Sequence, residues 1–411
     1  MDEKIRKPQV RFEGFEDDWE QRKLGEISYS LTGYPFESEK FSRSGIRLVR
    51  GINVKRGYID TSSDLTEYWE STKGVEDYLL KEDDILIQMD GALIGQSYAK
   101  VSKKDLPALL VQRVTRIREI LGCSNNKYMY YAIQRDFLKY IKSCKTETAV
   151  PHLSLKDIQN FELSFSTLEE QEKISVFLER VDNLITLHQR KYDKLQNVKK
   201  SMLEKMFSKN GMKVPEVRFE GFTDDWEQRK LGELAEKAIG GGTPKTSEKS
   251  YWNGNIPWFQ SADILEHEVQ IASPKKWITE IGLQKSAAQL IPCNSIAIVT
   301  RVGVGKLAYI PFSYATSQDF LSLSELKING NFGCYVIYKL LQKEKNLTQG
   351  TSIKGITKDE LLNKNINVPC YEEQKEIGRY FSNLDNLITL HQRKLSKLQQ
   401  LKTIFLEKLL P

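Results

Sequence analysis

Val10 to Glu26, VRFEGFEDDWEQRKLGE, returns at Val217 to Glu233 as VRFEGFTDDWEQRKLGE, with Glu16 against Thr223 as the one difference in 17 positions. Identity on that scale does not arise by chance, so the chain is one unit written twice, and such repeats settle organisation before local propensity does. A second match, Asp182 to Lys191 (DNLITLHQRK), recurs unchanged at Asp385 to Lys394. The first offset is 217 − 10 = 207 and the second 385 − 182 = 203, so the second copy is four residues shorter between its matched ends. Each copy is a leader, a variable block and a tail. The boundaries read as leader 1–25, block 26–168, helix 169–209, linker and leader 210–232, block 233–371 and helix 372–411.

The tails carry the clearest periodicity. Ile174, Phe177, Val181, Leu184, His188, Lys191, Leu195, Val198, Met202 and Lys205 keep a 3-4 spacing over four heptads. Ile377, Tyr380, Leu384, Leu387, His391, Lys394, Leu398, Leu401, Phe405 and Lys408 repeat it in register. Thr167 with Glu170 predicts a capping box at the start of the first helix, and Lys209-Asn210-Gly211 a basic last turn with a glycine stop. At 1.5 Å per residue such a helix is roughly 57 Å long. Its apolar seam has to be covered, and the nearest partner is the identical seam in the same chain. Two equal units close most simply as a pseudo-twofold, antiparallel intramolecular coiled coil. That arrangement predicts His188 and His391, the helix midpoints, to be neighbours and polar register markers of the coil.

The blocks share little sequence beyond landmarks: Gly91 and Gly95 beside Gly303 and Gly305, and Gln112 beside Gln318. Short β-type runs at Ile85–Ile87, Val111–Ile117 and Ser295–Thr300 alternate with helical stretches at Lys127–Cys144 and Gly333–Lys345. The expected class is α+β, two globular domains joined by two long helices, one fold carrying two different surfaces.

Composition narrows the function. The 411 residues exceed one typical domain, 40% are hydrophobic and 28% charged, and no apolar run approaches the roughly 18 residues of a membrane span. The densely charged start, Met1 to Gln9, does not resemble a signal peptide, so the chain is expected in the cytoplasm. The five cysteines are scattered without a C-x-x-C pair, which indicates neither a disulfide framework nor a zinc site. A net charge of +6 permits a nucleic-acid partner without demanding one.

Catalytic constellations are incomplete. Gly303-Val304-Gly305-Lys306 runs into Leu307, where a P-loop needs Ser or Thr, and Gly240-Gly241-Gly242 lacks a pyrophosphate-binding continuation. Asp319 with Glu325-x-Lys327 has the residue types of a metal-dependent nuclease but no further signature, and no Asn/Asp-Pro-Pro-aromatic loop occurs. His152 and His267 are isolated. No catalytic and no metal residues are assigned.

Binding residues are better represented. In the first block we expect Arg47, Arg50, Arg56, Gln88, Gln112 and Arg113 to face DNA; in the second, Thr243, Lys245, Thr246, Gln260, Ser261, Arg301 and Gln318. Arginine and glutamine match base edges in the major groove, whereas lysine meets phosphate. A coiled-coil scaffold without DNA, or a stand-alone DNA-binding protein or enzyme, are the competing classes, separable by salt-dependent DNA binding and by activity of the isolated chain.

Several motifs fit one family. They are Trp19–Glu26 and Trp226–Glu233 before each block, Thr148-Ala149-Val150-Pro151-His152-Leu153-Ser154 near the end of the first, and Glu-Glu-Gln at 169–171 and 372–374. The second block adds Gly241-Gly242-Thr243-Pro244 and Tyr251-Trp252-Asn253-Gly254-Asn255-Ile256-Pro257-Trp258, and departs at Thr351–Thr357, which lacks the Pro-His pair. With these motifs the chain resembles the DNA-specificity (S) subunit of Type I restriction-modification systems, over nearly its whole length. The resemblance implies two target recognition domains, each reading half of a bipartite double-stranded DNA site, with the helices spacing them. It further implies a non-catalytic chain without a cofactor of its own. Two methylation (M) subunits would supply adenine methylation from S-adenosylmethionine, and restriction (R) subunits ATP- and magnesium-dependent cleavage.

Overall fold

The computed structural model describes residues 7–91, 93–144, 152–209, 212–265, 269, 273–301, 303–347 and 355–410. Thr148–Pro151, Asn210, Gly211, His267 and Thr351–Lys354 of the sequence motifs lie outside the described residues. The chain divides into two compact units, one of Met1–Leu187 with Leu395–Pro411, the other of His188–Lys394. Each contains one block, and the first half of one long helix with the second half of the other.

Within the first unit, strands Ser28–Thr32, Val114–Glu119, Ile85–Gln88 and Tyr98–Lys100 form, in that spatial order, an antiparallel sheet. A smaller sheet orders Glu67–Trp69, Ile46–Val49 and Ala108–Leu110, the last two parallel. The second unit repeats both: Ala235–Gly240, Phe320–Leu326, Ser295–Val299, Leu307–Ile310, then Lys276–Ile278, Trp252–Phe259, Ala315–Thr316, again with one parallel pair. Topology is therefore the same in two blocks that share almost no sequence: the central strands are buried along most of their length, as at Ile85–Ile87 and Ser295–Val299, which fixes how they pair while the loops between them are free to differ. The expected strand at Val111–Ile117 starts only at Val114; Gln112 and Arg113 form the turn before it, with Arg113 at φ 68°.

The leader's role follows from its pairing. Glu20–Lys23 lies antiparallel to Glu162–Phe165, and Glu227–Lys230 to Asn365–Val368, so the same EQRK strand ties the start of each block to its end. Trp19 and Trp226 are buried behind these strands. The helices Asn126–Cys144 and Gly330–Leu347 open on an asparagine: Asn125 Oδ1 accepts from Tyr128 N at 3.0 Å and Asn329 Oδ1 from Phe332 N at 3.1 Å. The second thus starts three residues ahead of the expected Gly333.

The long helices run Leu168–Lys205 (38 residues) and Tyr371–Leu409 (39 residues). In the first unit Phe177 meets Phe405 at 4.8 Å between ring centroids and Lys402 Nζ lies 2.6 Å from Asp182. In the second, Lys199 Nζ lies 2.6 Å from Asp385 and His188 Nδ1 2.8 Å from His391 Nδ1. In both units one helix ascends as the other descends, so the pairing is antiparallel. The first helix ends at Lys205 rather than Lys209, because Met206 and Phe207 turn into the second unit's core.

Two expectations about the tails are corrected. Leu184 and Leu387, placed in the seam, are each 45% exposed, whereas Leu178, off the seam, is fully buried with Ile174 and Val181. Each helix opening is buried mainly against its own block, through Ile174 and Leu178 in one unit and Ile377 and Phe381 in the other, so the apolar face follows the block and not a strict heptad. The capping box is only half made. Thr167 Oγ1 accepts from Glu170 N at 3.4 Å, but the Glu170 carboxylate, fully buried, is held by Arg11 through Nε (2.7 Å) and Nη2 (2.9 Å).

That pair explains the repeated motifs. Arg218 holds the buried Glu373 in the same bidentate way, at 2.7 and 2.7 Å. Gln171 accepts from Asn125 N (3.2 Å) and donates to Ser166 O (2.8 Å); Gln374 accepts from Asn329 N (2.9 Å) and donates to Pro369 O (2.9 Å). Leader, tail and block helix are clamped by one Glu-Gln dipeptide per copy. Further along, Tyr131 donates to Asp182 (3.0 Å) and Tyr335 to Asp385 (2.7 Å). Burial first, then the Asp182 charge, pushes the Tyr131 phenol far up, so it stays a donor.

The histidine pair carries a pH dependence. Burial, then His188 with Lys191 and Lys394, holds His391 below the usual imidazole range. The folded chain therefore binds fewer protons than the unfolded one near pH ~6, and this stability, present above about pH 6.5, is lost as pH falls through the lower folded value. Between about pH 7.5 and about 5.5 the melting temperature of the wild type should fall further than that of His391→Gln. Equal falls in calorimetric scans would remove the pair as an acid-sensitive point.

Candidate nucleic-acid interface

Short backbone hydrogen bonds stitch four loops together in each unit. In the second, Gly242 N donates to Thr316 O (2.8 Å), Ser317 N to Phe259 O (2.8 Å), Thr300 N to Asp319 O (2.8 Å) and Ile356 N to Thr300 O (2.8 Å). Gly241 has to be glycine, since a Cβ there would sit 2.0 Å from Ser317 O. These contacts bring the loops of Thr243, Gln260, Arg301 and Gln318 side by side. Thr243 Oγ1 donates to Gln318 Oε1 at 2.6 Å, which leaves the Gln318 amide N–H groups without a partner among the described residues. Ser261 follows Gln260 in a 3₁₀ turn, and Lys245 and Thr246 are exposed further along the Thr243 loop, which Trp252 Nε1 pins by donating to Lys245 O (3.2 Å).

The first unit has the same stitching: Tyr34 N to Leu110 O (3.0 Å), Val111 N to Val49 O (3.1 Å), Met89 N to Arg113 O (2.9 Å) and Leu153 N to Met89 O (2.6 Å). Gln112 N donates to Tyr34 O (2.9 Å), and Gln88 lies against Gly51. Arg50, Gln88, Gln112 and Arg113 therefore share one loop cluster. Arg50 spends a donor on Leu65 O (2.7 Å) and lies 5.9 Å from the Phe41 ring centroid. Arg56 is exposed next to Gly57, whose N donates to Tyr98 O (2.7 Å), at the outer edge of the sheet. Arg47 is set apart: its Nη1 donates to Asp105 O at 2.7 Å, bracing the turn before Ala108–Leu110.

Matching the hydrogen bonds of the two clusters aligns Met89 with Thr300, Arg113 with Asp319, and hence Asp90 with Arg301. The charges are inverted. In the first unit Arg113 is ion-paired to Asp90. In the second, the Arg301 side chain is exposed and has no hydrogen bond or ion pair among the described residues, while Asp319 accepts from Ser317 Oγ at 3.3 Å. Sequence reading missed Asp90; only the alignment of hydrogen bonds makes it the counterpart of Arg301. Tyr34 was also missed, half-exposed beside Gln112 and edge-on to Phe36 and Tyr78.

The rejected catalytic motifs are dispersed. Gly305-Lys306 leads into a strand, Leu307–Ile310, so no helix N-terminus stands behind the glycines. Glu325 pairs with Lys237 (2.6 Å) and Lys327 with Glu236 (3.0 Å), away from Asp319. Among the described residues, no group of three or more His, Cys, Asp or Glu could hold a metal, and no helix is long and apolar enough to cross a membrane.

Residues 16–197 and 223–400 each match the model of the Type I restriction modification DNA specificity domain. The MjaVIII specificity subunit, a Type I restriction enzyme component of Methanocaldococcus jannaschii, is 24% identical over 424 residues, covering 94% of this chain and 90% of that one. The EcoAI specificity subunit of Escherichia coli is 32% identical over 179 residues, 43% of this chain but only 30% of that one, so the match spans less than a third of the latter. Among solved structures, the Type I restriction-modification S subunit from M. genitalium aligns with a TM-score of 0.67 at 15% identity, over 98% of this chain and 99% of that one, a likeness of fold.

Proposed function

The chain belongs to the Type I restriction modification DNA specificity domain family, with one matched domain in each copy of its repeat, and we propose that it reads a bipartite duplex DNA target, one half-site per unit. It is a specificity subunit with two target recognition domains. The observation that carries the finer reading is the pair of loop clusters: identical stitching, with arginine, glutamine, threonine and aspartate redistributed between equivalent positions. Residues that change while their scaffold does not are where a recognition code would be written.

The base-reading set is Arg50, Gln88, Gln112 and Arg113 in one unit and Thr243, Gln260, Ser261, Arg301 and Gln318 in the other. Lys245, Thr246 and Arg56, at the margins, meet phosphate or sugar. Arg47 contributes by holding its turn. The chain itself is non-catalytic. Methylation subunits bring S-adenosylmethionine chemistry on adenine, and restriction subunits bring ATP and magnesium for cleavage. Because the leader is duplicated almost letter for letter and the tails share DNLITLHQRK without change, a partner that docks on these segments of one copy finds the same surface on the other, which favours two methylation subunits.

Exchange of block 26–168 for the corresponding block of another specificity subunit tests the reading. Mapping of methylated adenines in host DNA should show one half-site replaced and the other kept. Alteration of both half-sites, or of neither, would refute independent reading.

A further inference from the structure

Outside the loop clusters, the second unit holds a cavity of about 540 Å³ where Phe207–Lys209, just past the first long helix, meets the leader strand, the helix Gly330–Leu347 and the strand Asn365–Val368. Its wall carries four ammonium groups, Lys209, Lys339, Lys343 and Lys364, against one carboxylate, Glu344. Glu344 is taken by Lys364 at 2.9 Å, and Lys209 reaches Glu216, outside the wall, at 3.4 Å. Lys339 and Lys343 have no carboxylate partner among the described residues. Lys339 is half-buried, donates once, to Phe207 O at 2.9 Å, and stands 5.6 Å from the Phe207 ring centroid. Its other two N–H donors have no partner among the described residues. Trp226 also lines the cavity; it is 3% exposed, and its indole N–H is buried without an acceptor. The equivalent Trp19 shares that unsatisfied N–H, so the feature that points to a ligand is the half-buried Lys339 ammonium, whose spare donors an acceptor-rich anion would satisfy.

We propose that this cavity binds a phosphoryl group, with Lys339 and Lys343 as its principal contacts. The volume admits a phosphate or diphosphate with water, and Ser208, Asn365 and Gln228 in the lining supply neutral donors, whereas the Asn367 amide is spent on Ser208 Oγ (2.8 Å) and Met212 O (2.9 Å). Burial, then repulsion from Lys209, pushes the Lys339 ammonium down to about 8, opposed by Glu204. A bound phosphoryl group reverses that repulsion and draws a proton onto Lys339. The equivalent junction of the first unit forms a cavity of about 490 Å³ lined by Lys7, Arg135, Lys139 and Lys142, but Arg135 is tied to Asp136 and Glu407 faces the same space. The second unit therefore holds the stronger site. The phosphoryl group comes from the DNA backbone or from a free polyphosphate; the first source rests on the DNA reading above.

Titration of the full-length chain with inorganic pyrophosphate at about pH 8, by calorimetry in two buffers of different ionisation enthalpy, tests it. Saturable binding with proton uptake is expected. Lys343→Gln, at an exposed position where folding is not at stake, and Lys339→Gln should together weaken it by at least about tenfold, while Lys339→Arg retains it. Absence of saturable binding, or the same affinity in the double variant, overturns the proposal. A second titration, with a mixed-sequence duplex at several salt concentrations, separates the sources. If the backbone occupies the cavity, pyrophosphate competes with the duplex and the double variant flattens the slope of log K on log salt by about 0.9 per lost phosphate. If a free polyphosphate does, duplex binding is unchanged and pyrophosphate still binds. A wild type that binds no duplex at all refutes the DNA reading, and the pyrophosphate result then judges the cavity alone.

Discussion

Arg218→Ala is expected to destabilise the second unit by about 3 to 5 kcal/mol, the cost of leaving a buried ion without its partner. The Glu373 carboxylate is 0% exposed and both of its oxygens are held by one guanidinium, at 2.7 and 2.7 Å. Removing the arginine strands that charge beside the first turn of the Tyr371–Leu409 helix, where only backbone dipoles remain to offset it. Arg218 also ties the leader to the tail, so its loss loosens the strand Glu227–Lys230 that closes the block. The double variant Arg218→Met with Glu373→Met should recover most of the loss, because a buried pair replaced by apolar groups of similar volume is close to neutral. Arg229→Ala, which removes an exposed partner of Glu227, should be nearly silent. Urea unfolding followed by tryptophan fluorescence reads all three. A cost under ~1 kcal/mol for Arg218→Ala, or no recovery in the double variant, would show that the buried pair does not govern the unit's stability.

This pair also marks what the sequence made legible. The repeat announced that Arg11 and Arg218, Glu170 and Glu373, do equivalent work, and the 3-4 spacing located both long helices. It could not announce that arginine and glutamate meet, because they stand 170 − 11 = 159 residues apart in one copy and 373 − 218 = 155 in the other. Local spacing assigns Glu170 to a capping box; the tertiary ion pair wins because it satisfies a fully buried carboxylate with two charge-assisted bonds instead of one. The seam failed at Leu184 and Leu387 for a related reason. Periodicity reveals that a helix has an apolar face, but not whether another helix or a block covers it. In the blocks, Arg47 and Arg113 are equally plausible readers on composition. Only the fold shows that Arg47 is committed to a backbone carbonyl while Arg113 stands at a turn beside the other candidates.

The inversion of Asp90 and Arg113 against Arg301 and Asp319 leads to the second large effect. An exposed guanidinium without an internal partner gives up only water and rotamer freedom to meet a guanine edge, whereas one held in an ion pair first has to be released as well. Arg301→Ala should therefore reduce discrimination between the cognate duplex and one altered in the half-site of the second unit by about 1 to 3 kcal/mol, roughly 5- to 150-fold. Discrimination at the other half-site should be untouched. Arg113→Ala should show a smaller loss, confined to the first unit's half-site, because that arginine gives up Asp90 before it can bind. Lys245→Ala, by contrast, should weaken every duplex alike and lower the salt slope by about 1, as a phosphate contact does. Competition titrations with three duplexes, cognate and altered at either half, distinguish these outcomes. If Arg301→Ala weakened all three equally, the side chain would be a backbone contact, and the reading of the second half-site would fall to Gln260 and Gln318, whose amides can satisfy an adenine edge without any charge.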